Sequence, residues 1–440
     1  MVASSQSPHN TQGAMSEYSA RPKHVVIVNG VYDPEPLVSA QMGRDLAESL
    51  AQRPDVTVTV LCPFPSRPLG TDYPGLHPRL EPLVRIEGGV TVVRLPSFRD
   101  AHSRLASRMR ESLSFGVAVR SFLRRQSQPI DLVYANTWPM LSQAVIARHC
   151  TFRGIPLVWH IQDVYPESML RRLPKPVAKI IRRPLVTLDR WILSQACHTV
   201  VLSDGVRDTY IATRQLPTTS MTVVSNWIDD KRYSPLPDRQ IACSRYGIDP
   251  APFTFCYVGN IGAAAGVDFL IRAFHRTTPA PFQLVIAGDG AMKAKCQAIA
   301  RDLDDQRVVF ISDSNVENTP WLLALANVCL LPLARGAGGS SVPSKLMAYL
   351  LAGKPVLAAV DAGCDTARAI QDAQCGWIGP PEDEAWLAGA LLKASQLPRS
   401  QLEDIGSRGR VFGVRHYGQA AGVTRLATLL IDVATSRNLH

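Results

Sequence analysis

The sequence predicts an α/β protein made of two successive Rossmann-like domains. Three observations point there. A chain of 440 residues is long enough to bury two separate cores. Short apolar, β-branched runs recur along it, each followed by a polar or glycine-containing loop and a helical pattern, the rhythm of a parallel sheet with crossover helices. That rhythm dissolves over residues 230–252 into charged and proline-containing sequence and restarts at residue 253, which marks a linker between two units.

Residues 1–22 are rich in Ser, Gln and Asn, lack an apolar run and read as a flexible tail without a signal peptide. The first domain, 23–229, opens with the strand HVVIVN at 24–29, the loop VYDPEP, and a helix carried by Leu37, Met42, Leu46 and Leu50. Loops that follow strands gather at the carboxyl edge of a parallel sheet, where ligands bind, so Asp33 and Glu35 become candidates for substrate contact. Strands follow at 56–61 and 90–94. The segment 102–125 is a basic amphipathic helix: Leu105, Met109, Leu113, Val117 and Phe122 form an apolar stripe, accompanied by Arg104, Arg108, Arg110, Arg120, Arg124 and Arg125. A second cluster, Arg171, Arg172, Lys175, Lys179, Arg182 and Arg183, makes a surface patch for an anionic bilayer the natural reading. Further strands lie at 131–135 and 156–161. His160 stands at the end of the latter, just before Asp163 and Glu167, so an imidazole and two carboxyl groups meet at one sheet edge. Strands at 199–202 and 221–224 complete the unit.

The second domain, 253–416, begins with the strand FTFCYV and the loop Gly259, Asn260, Ile261, Gly262. Residues 284–287 form the next strand, followed by Gly288, Asp289 and Gly290, and strands at 308–311 and 328–331 come after. The most informative stretch is 331–360. Gly336, Gly338 and Gly339 free the backbone for positive φ or close approach, Ser340, Ser341 and Ser344 offer hydroxyls, and Pro343 suits the first position of a helix. Leu346, Met347, Leu350 and Leu351 share one face of that helix, Gly353 can close it in a left-handed conformation, and Pro355 stops it. Lys345 therefore sits at a helix N-terminus, where free N–H groups, the helix dipole and the ammonium make an anion site suited to a diphosphate. A P-loop is excluded by spacing, since Leu346 rather than Ser or Thr follows the lysine. A strand at 375–378, a helix at 382–397 and a final helical region at 418–435 end the chain.

Composition narrows the function. The net charge of +10 calls for an anionic partner, but without aromatic-interleaved basic patches or zinc-finger spacing that partner is not nucleic acid. Nine cysteines without a CxxC pair read as reduced thiols of a cytosolic protein and offer no metal site. No apolar run reaches the length of a spanning helix, so any membrane is met from its surface.

The succession WHIQDVYPES, SDGVRD, VVSNWID, YVGNIG, VIAGDG and VPSKLMAYLLAGKPVLA resembles the family-four glycosyltransferases, and among them the branch that builds exopolysaccharides such as colanic acid and O-antigen. The resemblance covers nearly the whole chain beyond the tail. It implies the GT-B architecture: two Rossmann-like domains facing each other across a cleft, the first for the acceptor, the second for the nucleotide-sugar donor, with residues 417–440 crossing back to the first. It implies donor contacts by Gly259, Asn260, Gly262, Gly288, Asp289, Gly290, Arg335, Gly339, Ser340 and Ser344. Catalytic roles fall to Lys345, His160 and Asp163, and Glu35 joins Asp33 on the acceptor side. The implied reaction is a retaining transfer without metal or cofactor, from a nucleotide-sugar to a lipid-linked saccharide at the cytoplasmic membrane face. The chain departs from the family where Ser340 and Ala348 replace two glutamates, where Asn260 and Ala265 replace an arginine and a lysine, and where Val38 and Ser39 replace glycine. The missing glutamates also admit a non-catalytic nucleotide-sugar-binding scaffold of an assembly complex.

Overall fold

A computed structural model describes residues 21–436 except 69, 101–104, 137–139, 171–172, 314 and 339–341. The first half alternates strand and helix: β1 (Lys23–Asn29), α1 (Val38–Ala51), β2 (Val56–Pro63), β3 (Leu83–Glu87), β4 (Val90–Leu95), α2 (Leu105–Arg125), β5 (Leu132–Asn136), α3 (Met140–Arg153), β6 (Leu157–Ile161), α4 (Glu167–Leu170), α5 (Lys175–Ser194), β7 (His198–Val201), α6 (Asp204–Arg214) and β8 (Met221–Val223). These strands form one eight-stranded sheet in the order β3-β4-β2-β1-β5-β6-β7-β8, parallel except for β3. Edge strand β3 pairs antiparallel with β4 through the Gly88–Gly89 turn. Its side chains are largely exposed, so its sequence carries no core-facing alternation and does not announce a strand.

The second half starts before the restart of the pattern. Residues 230–252, read in the sequence as a structureless linker, contain α7 (Arg239–Tyr246). Asp238 caps it by accepting from the Gln240 and Ile241 amides, and Gly247 ends it at φ +65°. There follow β9 (Phe253–Val258), α8 (Val267–His275), β10 (Phe282–Ala287), α9 (Lys293–Asp302), β11 (Val308–Ile311), α10 (Thr319–Ala324), β12 (Val328–Pro332), α11 (Ser344–Leu351), β13 (Val356–Ala359), α12 (Asp365–Ala373), β14 (Gly376–Gly379), α13 (Glu384–Ser395), α14 (Arg399–Tyr417) and α15 (Gln419–Ser436). Six parallel strands run in the order β11-β10-β9-β12-β13-β14. Each sheet is covered on both faces by helices, and apolar clusters fill all four interfaces.

The long helix α14 was not legible in the sequence because Gly406, Gly409 and Gly413 lower helix propensity. Here they serve contact: a Cβ on Gly406 would lie 2.0 Å from the Gly353 carbonyl oxygen, and one on Gly413 would lie 3.0 Å from the Leu350 Cβ. That lets α14 press directly on α11. Beyond it, α15 returns to the first half, where Leu426 and Leu430 pack with Leu46 and Leu50 of α1. Gly422 leaves room for the Trp227 indole, whose N–H donates to Asp45 at 2.9 Å.

Helix α2 turns the middle of its sequence-predicted apolar stripe outward, while Phe122 at the end of that stripe is half-buried against the first-domain core. Its buried residues are Ser112, Phe115, Val119 and Leu123, while Met109, Leu113 and Val117 face solvent. Packing on α3 chose the other face.

Candidate functional site

The two sheets present their carboxyl edges to each other, and one contact shows it. Asp365, 8 % exposed at the start of α12 in the second domain, accepts from the Ser203 hydroxyl at 2.5 Å, in the turn after β7, and from the Gly205 amide at 3.2 Å, in the first turn of α6. Ser203 also caps α6 by accepting from the Val206 amide. A carboxylate of one domain thus sits on the positive end of a helix of the other. Arg368 donates to the same carboxylate at 2.7 Å.

On the second-domain side, Lys345 occupies the first turn of α11 below the loop that follows β9. Its ammonium donates to the Tyr257 hydroxyl at 2.7 Å and lies 4.5 Å from the centroid of that ring. Tyr257 in turn donates to the Asn260 carbonyl at 2.6 Å. No carboxylate pairs with Lys345 among the described residues, and burial pushes its pKa down from 10.5 to about 8. The loop above is pinned by glycines. Gly259 has φ +148°, and a side chain there would meet the Lys345 Cε at 3.4 Å. Gly288 (φ +139°) lies so close that a Cβ would stand 2.1 Å from the Gly259 carbonyl oxygen. The Ile261 amide donates to the Asp289 carbonyl at 2.8 Å, and the Ile261 carbonyl accepts from Met292 at 2.9 Å. Gly288, Asp289 and Gly290 therefore brace the Gly259–Gly262 loop from behind. The Arg335 amide and guanidinium face Glu382, and Nη2 reaches the Pro381 carbonyl. Ser344 is exposed at the start of α11, and Asn260 is exposed above it. Gly339 and Ser340 lie outside the described residues. Pro343 takes the capping position rather than the first helical one, and Ala348 is buried in the core beside Tyr349.

Among the described residues the first-domain candidates His160, Glu35, Glu167 and Asp33 each have partners other than one another. His160 is 2 % exposed and shares a 2.7 Å hydrogen bond between its Nδ1 and the Tyr134 hydroxyl. Nε2 is buried without a hydrogen-bond partner, and burial lowers the pKa to about 3, so the ring is neutral. The ring is enclosed near the end of β6, against Tyr134. Glu167, two residues past the turn, gives both oxygens to Arg214 at 2.7 and 2.6 Å. Arg214 also holds Asp189 at 2.8 Å; burial opposes its charge, but the two carboxylates outweigh that and keep it protonated. Asp163 alone of the three stands exposed. Glu35, 4 % exposed, accepts from the Ser66 and Arg67 amides at 2.8 Å and from Tyr32 at 3.3 Å. It fastens the loop after β2. Asp33 is open to solvent and paired with Arg44 at 3.1 Å.

Tyr257 was missed because it lies inside an apolar strand run, where an aromatic reads as core; its place two residues before the glycine loop was the available signal. Gln162 and Asn226, each with a buried amide atom lacking a partner at the same sheet edge, stand inside the WHIQDVYPES and VVSNWID runs, which carried the resemblance without singling them out.

Residues 41–232 match the family model described as Glycosyltransferase Family 4, and residues 252–396 match that described as Glycosyl transferases group 1. The chain is 26% identical over 306 residues to the probable glycosyltransferase WbjE of Pseudomonas aeruginosa, spanning 69% of this chain and 74% of the relative. It is 24% identical over 391 residues to the putative colanic acid biosynthesis glycosyl transferase WcaI of Escherichia coli, spanning 85% of this chain and 93% of the relative. Its fold resembles that of Anabaena Alr3699/HepE, solved in complex with UDP-glucose, with a TM-score of 0.63 and 17% identity over 93% of this chain and 99% of that one.

Proposed function

We propose that this chain, a family-four glycosyltransferase of GT-B architecture, moves a sugar, with retention, from a nucleotide-sugar to a lipid-linked saccharide in cell-surface polysaccharide biosynthesis. One observation carries the donor half. A desolvated ammonium without a carboxylate partner waits at the N-terminus of α11, under a loop held open by glycines. A diphosphate is the anion that fits a single cation plus aligned backbone amides, and HepE in complex with UDP-glucose supports that donor class.

In the proposed reaction the acceptor hydroxyl approaches the anomeric carbon on the face the diphosphate leaves. The new C–O bond forms as the sugar–phosphate bond breaks, and the hydroxyl proton passes to the departing phosphate oxygen. Lys345, with the amides of the first turn of α11, stabilises the charge that develops there, so neither metal nor cofactor is required. Ser344, Asn260, Gly259 and Gly262 shape the phosphate site. Asp163 meets the transferred sugar, with His160 positioning the end of β6 from below. Asp33 lies on the acceptor side. No described helix is long and apolar enough to cross a membrane. The outward stripe of α2 and the basic residues of α2 and α5 support peripheral attachment to the anionic inner face of the cell membrane, and hence a cytoplasmic location.

The test is a panel of UDP-, GDP- and TDP-sugars scored by thermal shift and by slow hydrolysis, with and without a chelator, on the wild type and on Lys345→Ala. One donor class should stabilise the wild type and be hydrolysed despite the chelator, and the variant should lose both responses. Buried Ala348, standing where the family carries a glutamate, favours a second reading as a non-catalytic scaffold; donor binding without turnover on any acceptor would establish that instead.

A further inference from the structure

Far from the cleft, the outer ends of α2, α3 and α5 enclose an open cavity of about 550 Å³ lined by Arg120, Arg148, His149, Phe152, Trp191 and Gln195. Gln195 is engaged by Thr151 and Ser194, which leaves the arginines and the histidine as the available polar groups of the cavity. Neither Arg120 nor Arg148 pairs with a carboxylate among the described residues. His149 is 7 % exposed, yet its Nε2 has no hydrogen-bond partner. Burial and the nearby Arg153 and Arg120 lower its pKa, so the imidazole is neutral and available as donor or acceptor. Two guanidiniums and an unsatisfied buried imidazole around one opening suit a phosphate, which accepts several hydrogen bonds at once.

The rim decides where that phosphate comes from. Phe152 is 87 % exposed and Trp191 37 %, an uncommon position for two aromatics that no other element covers. Along α2, Met109, Leu113 and Val117 stand in one exposed line that runs into Arg120, at helical spacings of four, four and three residues. On α5, exposed Ile180 and Val177 are flanked by Lys175, Lys179, Arg182 and Arg183. A free phosphate would use the arginines and leave these apolar side chains in water; a bilayer takes both, with charge complementary to the basic layer.

We propose that this cavity is a headgroup site for an anionic phospholipid, holding the phosphate between Arg120, Arg148 and His149 while Phe152 and Trp191 enter the acyl boundary. It rests on the membrane-bound acceptor proposed above, and it sets which face of the first domain lies on the bilayer.

The experiment is co-sedimentation of the full chain with phosphatidylcholine vesicles containing or lacking phosphatidylglycerol. Wild type should bind the anionic vesicles. The double variant Arg120→Glu/Arg148→Glu should lose at least about tenfold in partitioning, and Phe152→Ser should weaken binding on its own. Folding of each variant is checked by its melting curve. Partitioning of the double variant within about twofold of wild type, when two basic contacts should count for far more, overturns the proposal, as does equal binding to neutral vesicles. Short-chain phosphatidylglycerol should perturb the His149 ring resonances; an equal response to glycerol 3-phosphate would assign the cavity to a free phosphate and overturn the lipid. Donor-induced thermal shifts, measured in parallel without vesicles, separate a failure here from a failure of the donor assignment.

Discussion

Replacing Lys345 by methionine should raise the stability of the donor-free protein while abolishing its response to donor. The lysine ammonium is desolvated beneath the Gly259 loop, and the drop from 10.5 to about 8 corresponds to roughly 3 kcal/mol carried by the charged form at neutral pH. Against that stand the hydrogen bond to Tyr257, about 1 kcal/mol, and the cation–π contact, also about 1 kcal/mol, both lost in the variant. Methionine fills the same volume without charge, so the net gain is about 1 kcal/mol, equivalent to about 2–4 °C for a domain of this size. The pH dependence has a definite sign. Below about pH 8 the native lysine is charged and the full desolvation cost is present. Between about 8 and 10.5 the native state has released a proton that the unfolded chain still holds, so wild-type stability rises with pH and the advantage of the variant shrinks. Scanning calorimetry of both proteins at neutral pH and near pH 10, with and without nucleotide-sugar, measures each quantity. A variant less stable than wild type at neutral pH, with a gap that does not change at high pH, would refute the desolvation argument. A donor-induced shift that survives the substitution would refute the diphosphate assignment.

Three further perturbations test the surrounding structure. Tyr257→Phe removes the acceptor for Lys345 and the donor to the Asn260 carbonyl; donor Kd measured by calorimetry should weaken about threefold to tenfold, with little change in melting temperature. Gly288→Ala would force a Cβ against the Gly259 carbonyl oxygen, so donor binding should be lost although circular dichroism stays native, whereas wild-type affinity would show that the loop need not be braced from β10. Asp365→Asn weakens the bridge to Ser203 and Gly205 by about 1–3 kcal/mol; small-angle scattering should then show a more open pair of domains, and an unchanged radius of gyration would mean the bridge does not hold them.

Much of the fold was readable from local pattern. Residues 25–28, 253–258 and 328–331 announce strands because β-branched and apolar residues fill every position of a strand buried on both faces. The positions of Lys345 and of Gly353 at the two ends of α11 followed from capping chemistry, which depends on residues only three or four apart. Where local signals conflicted with packing, the sequence misled. Three glycines hid α14, and the charged stretch around Asp238 hid α7 although its cap was visible.

What the sequence by itself determined is the order of strands and helices, the two-domain division of the pattern and the lysine at a helix start behind a glycine loop. These rest on periodicity, turn chemistry and helix capping, all set within a few residues. Only the tertiary structure decided which carboxylates are free and which face of each helix is covered. Glu35 and Glu167 fasten neighbouring segments, and His160 is buried against Tyr134. Lys345 found Tyr257, 88 positions away. Burial and pairing of this kind depend on partners remote in the chain, and the apolar stripe of α2 faces outward because α3 covers the opposite side.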